Sequence, residues 1–298
     1  MIPCMYVNNL NKEKYVYRAV ASALAQTTPC EVLVTDAQST DNSWAEIERA
    51  VAEAPRGADH IVRIMQSPVA GANNFRSFSD HWMWAMDQTE AEWVLQCSSD
   101  DYSLPDRAKA CMEAVATNPC SAIATTMFFE KPGQENRRDC SGFPTQTGYV
   151  NPGEGLIRLA YGSVIAGYNR DFIKRSGGFG RSTPDVFYGF LAALDKGFYV
   201  VCDPQHVHVQ HENIENLGFQ GKLLAASGDD SLLLNELNHL QLMMLYDSTM
   251  TRAIELHPQG IPEDAYQAGA NAIFGQAQAL LRARKVLNEK GLRPMVLA

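Results

Sequence analysis

Along the first two thirds of the chain, short apolar runs alternate with longer stretches whose apolar residues recur every third or fourth position. The short runs have strand length and the longer ones helical periodicity. Residues 2–7 predict a strand, Asn8-Asn9-Leu10-Asn11 breaks it, and residues 12–25 place Tyr15, Ala19, Val20, Ala23 and Leu24 on one side of a helix. Pro29 punctuates. Residues 31–34 predict a second buried strand and residues 36–42 a polar loop at its end, after which Ser43 and Glu46 have the spacing of a capping box for the next helix. A third strand over 60–66, a helix over 73–86 with Phe75, Phe78, Trp82 and Met86 turned to the core, and a fourth strand over 93–97 complete the series. This alternation predicts an α/β fold whose mainly parallel sheet is covered by helices on both faces.

Beyond residue 105 the pattern loosens. A helix over 105–117 and a strand over 121–129 lead into residues 130–153, where three prolines and four glycines predict a long excursion of the kind that serves as a functional lid or mobile segment. A short helix over 154–161 and a strand over 163–167 precede the turn Ser176-Gly177-Gly178-Phe179-Gly180. A helix over 185–194 and a strand over 198–202 follow. From residue 221 the character changes to two long helical patterns, 223–256 and 263–287, joined by a turn over 258–262.

Composition narrows the class. The 298 residues are 46% hydrophobic and 20% charged, enough to bury the core of one large domain or one domain with an appendage. A formal net charge of −9 argues against a broad electrostatic grip on nucleic acid or an anionic membrane. Seven scattered cysteines without C-x-x-C spacing are expected to be reduced, packed thiols of a cytoplasmic protein. The chain opens without a basic region leading into an apolar stretch, and no apolar run reaches bilayer length, so neither export nor an integral membrane segment is expected.

The candidate chemistry centres on residues 97–107, Cys-Ser-Ser-Asp-Asp-Tyr-Ser-Leu-Pro-Asp-Arg. The paired carboxylates Asp100 and Asp101 leave a strand at the sheet edge where open α/β folds bind ligands. Hard oxygens on a short loop suit Mg2+ or Mn2+ that keeps open positions for substrate phosphates; the same pair equally suits a turn that caps the following helix. His206, His208 and His211 raise a zinc site as a further reading, against which stands the rarity of such sites without a cysteine pair.

Asn11-Lys12-Glu13-Lys14-Tyr15, Ser22, Gln26, the strand ending in Asp36, and Ser39-Thr40-Asp41 resemble the N-terminal half of family 2 glycosyltransferases with the GT-A fold. Ser98-Ser99-Asp100-Asp101 and Leu104-Pro105-Asp106-Arg107 resemble that family's metal motif and the helix start behind it. Gly177-Gly178-Phe179, Asp185 and Gly197-Phe198 resemble the segment carrying its catalytic base. The likeness spans roughly residues 2–218. It implies a catalytic domain over 1–218, divided into a nucleotide-sugar half over 1–118 and an acceptor half over 119–218, with a C-terminal helical extension over 219–298.

The implied reaction is inverting, metal-dependent transfer of a sugar from a nucleotide-diphosphate sugar to an acceptor hydroxyl. The resemblance assigns Asp101 to the metal, with Asp100 sharing the ion or contacting the ribose beside Ser99. Asn8, Asp36 and Ser39 fall at the nucleoside, Arg76 at the pyrophosphate, and His211 at a late metal or pyrophosphate contact. Asp185 falls at the base that takes the acceptor's proton. Ser98, Ala37 and Pro184 stand where relatives often carry acidic residues. Other readings are a non-catalytic nucleotide-sugar-binding protein and a GT-A-like nucleotidyltransferase. The last would need a glycine-rich phosphate loop, and residues 8–14 contain no glycine. The acceptor is open among glycan, lipid-linked sugar, protein, small molecule and modified nucleobase. The terminal helices either cover the catalytic domain or form a homodimer through Ile273, Phe274, Ala277, Leu280 and Leu281.

Overall fold

The computed structural model describes residues 1–68, 75–130, 137–139, 146–150, 166–179, 184–209 and 231–291. Among the described residues ten strands form one sheet: β1 (Cys4–Asn9), β2 (Glu31–Asp36), β3 (Ile61–Gln66), β4 (Trp93–Ser98), β5 (Tyr102–Ser103), β6 (Ala122–Glu130), β7 (Arg137–Asp139), β8 (Gly148–Tyr149), β9 (Gly167–Asn169) and β10 (Phe198–Val209). Its order is β3-β2-β1-β4-β9-β6-β10-β5, with β7 beside β6 and β8 beside β10. Strands β1 to β4 are parallel, β9 runs antiparallel to both neighbours, and β10 is parallel to β6. The sheet is therefore mixed and mainly parallel along its central path, as the alternating pattern predicts.

Strand alternation divides the core. Met5 and Val7 point to one face, where α1 (Val16–Leu24), α2 (Ser43–Glu53) and α4 (Arg107–Thr117) bury Val20, Ile47 and Cys111. Cys4 and Tyr6 point to the other face, against α3 (Phe75–Met86), α5 (Arg170–Ser176) and α6 (Pro184–Leu194). The long helices α7 (Ser231–Leu256) and α8 (Glu263–Glu289) join this same face through Leu245, Tyr246, Met250, Ala253, Ala265 and Ala272. Arg252 on α7 donates to the Ser176 carbonyl at 3.0 Å, at the end of α5. Gly269 lets α8 approach α7 closely, since a Cβ there would collide with Met250. No described helix is long and apolar enough to cross a membrane.

Three local expectations change. Ser43 does not cap α2: its hydroxyl accepts the Lys12 amide at 2.9 Å, and Asn42 is the N-terminal cap position without a side-chain bond. A bond to a neighbouring loop outcompetes the local capping box. Helix α5 occupies residues that the sequence reading leaves unassigned, ahead of the turn expected from Ser176; Asn169 accepts from the Phe172 amide at its start and Gly177, at φ 75°, closes it. Strand β10 runs to Val209 rather than stopping near Cys202. Pro204, which donates no hydrogen bond, sits between two register shifts against β6, so the strand bulges and continues. The excursion after β6 contributes β7 and β8; the short helix expected over 154–161 lies outside the described residues.

Candidate active site

The C-terminal ends of β1, β2 and β4 meet at one edge, with Asn8 opposite both Thr35 and Ser98, and Asn9 opposite Asp36. The order in which strands are added reverses here: β1 continues through α1 to β2 on one side, while β4 lies on its other side. This is the switch point at which a crevice opens in a doubly wound sheet.

At the β2 end, Asp36 is almost fully buried. Its Oδ1 accepts from Asn9 Nδ2 at 2.7 Å and from the Ser39 hydroxyl at 2.6 Å, and its Oδ2 from the Ser39 amide at 2.9 Å. Ser39 Oγ also accepts from Asn9 Nδ2 at 3.1 Å and from the Asn11 amide at 2.8 Å. Asn11 Oδ1 receives the Thr40 amide, Asp41 Oδ2 the Glu13 amide, and Glu13 Oε2 the Asn42 amide. The loops after β1 and β2 are thus stitched into one unit, and Asn11 and Gln38 hold positive φ within it. Below Asp36, Tyr6 OH, Thr35 Oγ1 and His81 Nε2 form a buried chain with spacings of 3.1 and 3.0 Å. Burial pushes His81 down to about 4, with the Asp36 charge opposing.

At the β4 end the two aspartates diverge. Asp101 is 1% exposed and faces β10: its Oδ1 accepts the Val209 amide at 3.0 Å and its Oδ2 lies 3.3 Å from His206 Nε2. Arg107 is fully buried behind them, its Nη1 3.4 Å from His206 Nδ1 and 2.9 Å from the Ser103 hydroxyl. A guanidinium only donates, so Nδ1 accepts and the imidazole proton sits on Nε2, directed at Asp101. Burial lowers Arg107 from its ordinary value, while Cys111, Cys97 and Asp101 oppose that shift. Asp100, whose side chain is 19% exposed, is the outward carboxylate. Ser98 donates its hydroxyl to Oδ1 at 2.6 Å and the Lys12 ammonium lies 2.9 Å from Oδ2.

Residues distant in sequence hold this segment. Gln26, two residues past the end of α1, accepts the Ala108 amide at the start of α4 and donates to the Leu104 carbonyl, each at 2.9 Å, and Ser22 on α1 accepts the Ser103 amide. Tyr102 donates to Glu130 at 2.6 Å, and Arg18 binds the other oxygen of Glu130 while lying over the Tyr102 ring.

Of the residues singled out in the sequence, Asn8, Asp36, Ser39, Ser99, Asp100 and Asp101 gather at this edge. Asn8 Oδ1 is a buried acceptor with no partner among the described residues. Arg76 and Asp185 belong to α3 and α6, but their side chains lie outside the described residues, as does all of His211. Among the described residues no three His, Cys, Asp or Glu side chains form a metal cage. His206 is engaged with Asp101 and Arg107, so the zinc reading loses that member. Lys12, Asn9, His206 and Arg107 are the participants that sequence reasoning left without a role at the site. Asp36, with Asn9 across from it in the register of β1 and β2, was the available signal for the second.

The family-level comparison matches residues 5–176, more than half of the chain, to the family described as Glycosyl transferase family 2. No curated protein sequence matches the chain. The structure of S. aureus TarS residues 1–349 with UDP-GlcNAc is similar at a TM-score of 0.56 and 17% identity, covering 96% of this chain and 83% of that one. A longer S. aureus TarS structure matches 96% of this chain with 50% of its own length. A mannosyltransferase from Pyrobaculum calidifontis, in complex with GDP-Man and Mn2+, is similar at a TM-score of 0.60 and 15% identity, covering 99% of this chain and 77% of that one. At these identities the structural likeness establishes the GT-A fold.

Proposed function

The chain belongs to glycosyl transferase family 2 and is a glycosyltransferase, and from that premise we propose that it moves a sugar from a nucleotide-diphosphate donor to an acceptor hydroxyl, with inversion and with help from a divalent ion. The observation that carries the reading is the pairing, at one strand edge, of an outward carboxylate, Asp100, with a buried acceptor, Asn8 Oδ1, that has no partner among the described residues. Similar folds hold UDP-GlcNAc in TarS and GDP-Man with Mn2+ in the mannosyltransferase.

The residues fit a sparse ion site. Mg2+-type ions commonly take one or two carboxylates and complete their shell with substrate phosphates and water. Asp100 supplies such a carboxylate, and Asp101, with both oxygens bonded inside the protein, serves to hold β10 against the metal loop. When bound, the ion would neutralise charge developing on the departing diphosphate. Asn8 Oδ1 gives a donor N–H or O–H of the nucleoside an acceptor. Asp36, fixed by Asn9 and Ser39, keeps the floor of that pocket polar and rigid. Asp185 lies in the first turn of α6, whose position is set by Tyr188 donating to the Gly177 carbonyl at 2.8 Å. In this reading its carboxylate accepts the proton of the attacking hydroxyl.

The test is the melting temperature of the purified protein against UDP, GDP and their sugars, each with and without Mn2+. A metal-dependent rise with one nucleotide sugar is expected, because a ligand that binds only the native state stabilises it by mass action. No rise with any nucleotide, in folded protein, would replace the reading with a non-catalytic one. Asp185→Asn should remove transfer while leaving that rise intact.

A further inference from the structure

We propose that Lys12 is an exchangeable counter-cation: it occupies Asp100 before ligands arrive, passes to the diphosphate when the donor binds, and so couples donor and divalent ion into one binding event. The inference deepens the functional reading above and rests on it.

The ammonium of Lys12 lies 2.9 Å from Asp100 Oδ2, and the two side chains are only 21% and 19% exposed. Asp100 Oδ1 already accepts from Ser98. A divalent ion approaching Asp100 alone must therefore compete with these groups for the carboxylate. If Lys12 stayed, a unit charge and a double charge would face each other across one carboxylate. Metal binding without nucleotide is disfavoured for that reason.

The backbone of Lys12 cannot follow the exchange. Its amide is held by Ser43 Oγ, and its carbonyl accepts from the Tyr15 and Val16 amides, each at 2.9 Å. The loop around it is tied to the loop after β2 through Asn11, Glu13 and Asp41. A fixed Cα with a flexible four-carbon stem confines the motion to the ammonium. The incoming diphosphate brings at least two negative charges to the same edge. Lys12 then pairs with a phosphate oxygen, Asp100 is released to the ion, and each ligand removes the obstacle to the other. Reciprocity follows from linkage: the factor by which nucleotide tightens the ion equals the factor by which the ion tightens nucleotide.

The experiment measures Mn2+ binding from the electron paramagnetic resonance signal of free ion, with and without saturating UDP or GDP, in wild type, Lys12→Met and Lys12→Arg. Wild type should bind Mn2+ weakly alone and more tightly with nucleotide. Lys12→Met should bind Mn2+ alone about thirtyfold more tightly, the effect of removing one unit charge at roughly 4 Å from a double charge in a water-facing site. Its coupling factor should fall by the same amount, and Lys12→Arg should restore coupling. Unchanged Mn2+ affinity in folded Lys12→Met, with metal-dependent nucleotide binding intact in wild type, overturns the lysine assignment and leaves the functional reading standing. Equal weakening of both ligands would mean a merely structural lysine and also overturns it. Wild type that binds neither Mn2+ nor nucleotide overturns both.

Discussion

The β2 end and the β4 end of the sheet each present a carboxylate to the same crevice, and the protein treats them oppositely. Asp36 is held by short partners on rigid backbone, an asparagine from β1 and a serine that contributes both amide and hydroxyl. Asp100 accepts from a serine hydroxyl and pairs with the tip of a long flexible lysine. Asp101, next in sequence, repeats the Asp36 solution with a backbone amide and a buried histidine. The difference teaches that a carboxylate at a strand end becomes available to a ligand when its partners can leave, and becomes architecture when they cannot.

Mutations that exchange these roles test the contrast, and the largest effect is expected at Asp101. Asp101→Ala leaves the Arg107 charge buried without its neighbour and frees the Val209 amide, so stability should drop by about 3 kcal/mol or more in denaturant titration. A change below about 1 kcal/mol would place Asp101 among the ligand groups instead. Asp100→Asn should do the reverse. It is expected to keep stability within about 0.5 kcal/mol and to weaken sugar transfer on the order of a hundredfold, read from donor turnover.

Acid should loosen the β2 end selectively. His81 is held at about 4, below its ordinary 6.5, so between these values the unfolded chain binds a proton that the folded chain does not. Its stabilising effect is therefore full above pH 6.5 and is lost as pH falls toward 4. Between pH 7 and 5 the loss amounts to about 2 kcal/mol. His81→Gln should flatten that part of the stability curve, and an unchanged slope would show that another group causes it. The smallest effect is expected from Ser39→Ala, about 1 kcal/mol of stability. It would free Asp36 enough to make the β2 end resemble the β4 end, which a change in nucleotide affinity would reveal.

Much of the site was legible locally. The polar breaks at Asn8-Asn9, at Asp36 to Asp41 and at Ser98 to Asp101 each follow an apolar run, so their arrival at one edge of a parallel sheet follows from pattern. Their division of labour was not legible. Asp100 and Asp101 are adjacent and chemically identical, and the sequence reading gave the ion to Asp101, with Asp100 sharing it or contacting the ribose. In the structure Asp101 turns into β10, because Val209 and His206, more than a hundred residues away, reach it there. Lys12 stood at the start of the helix expected over 12–25, in the family-like run Asn11 to Tyr15 but with no role of its own, and only the pairing of β1 with β4 brings its side chain to Asp100.

Hydrophobic periodicity determined the order of strands and helices, the two-faced core and the edge where the polar loops collect, since these depend on residues near one another in the chain. Tertiary structure alone decided which carboxylate faces outward, that β10 continues through the Pro204 bulge to place His206 under the site, and that α7 and α8 complete the core face beside α6. Those outcomes depend on contacts between segments far apart in sequence. Such contacts leave no period in the chain, because each is selected by the shape and charge of a surface that exists only after folding.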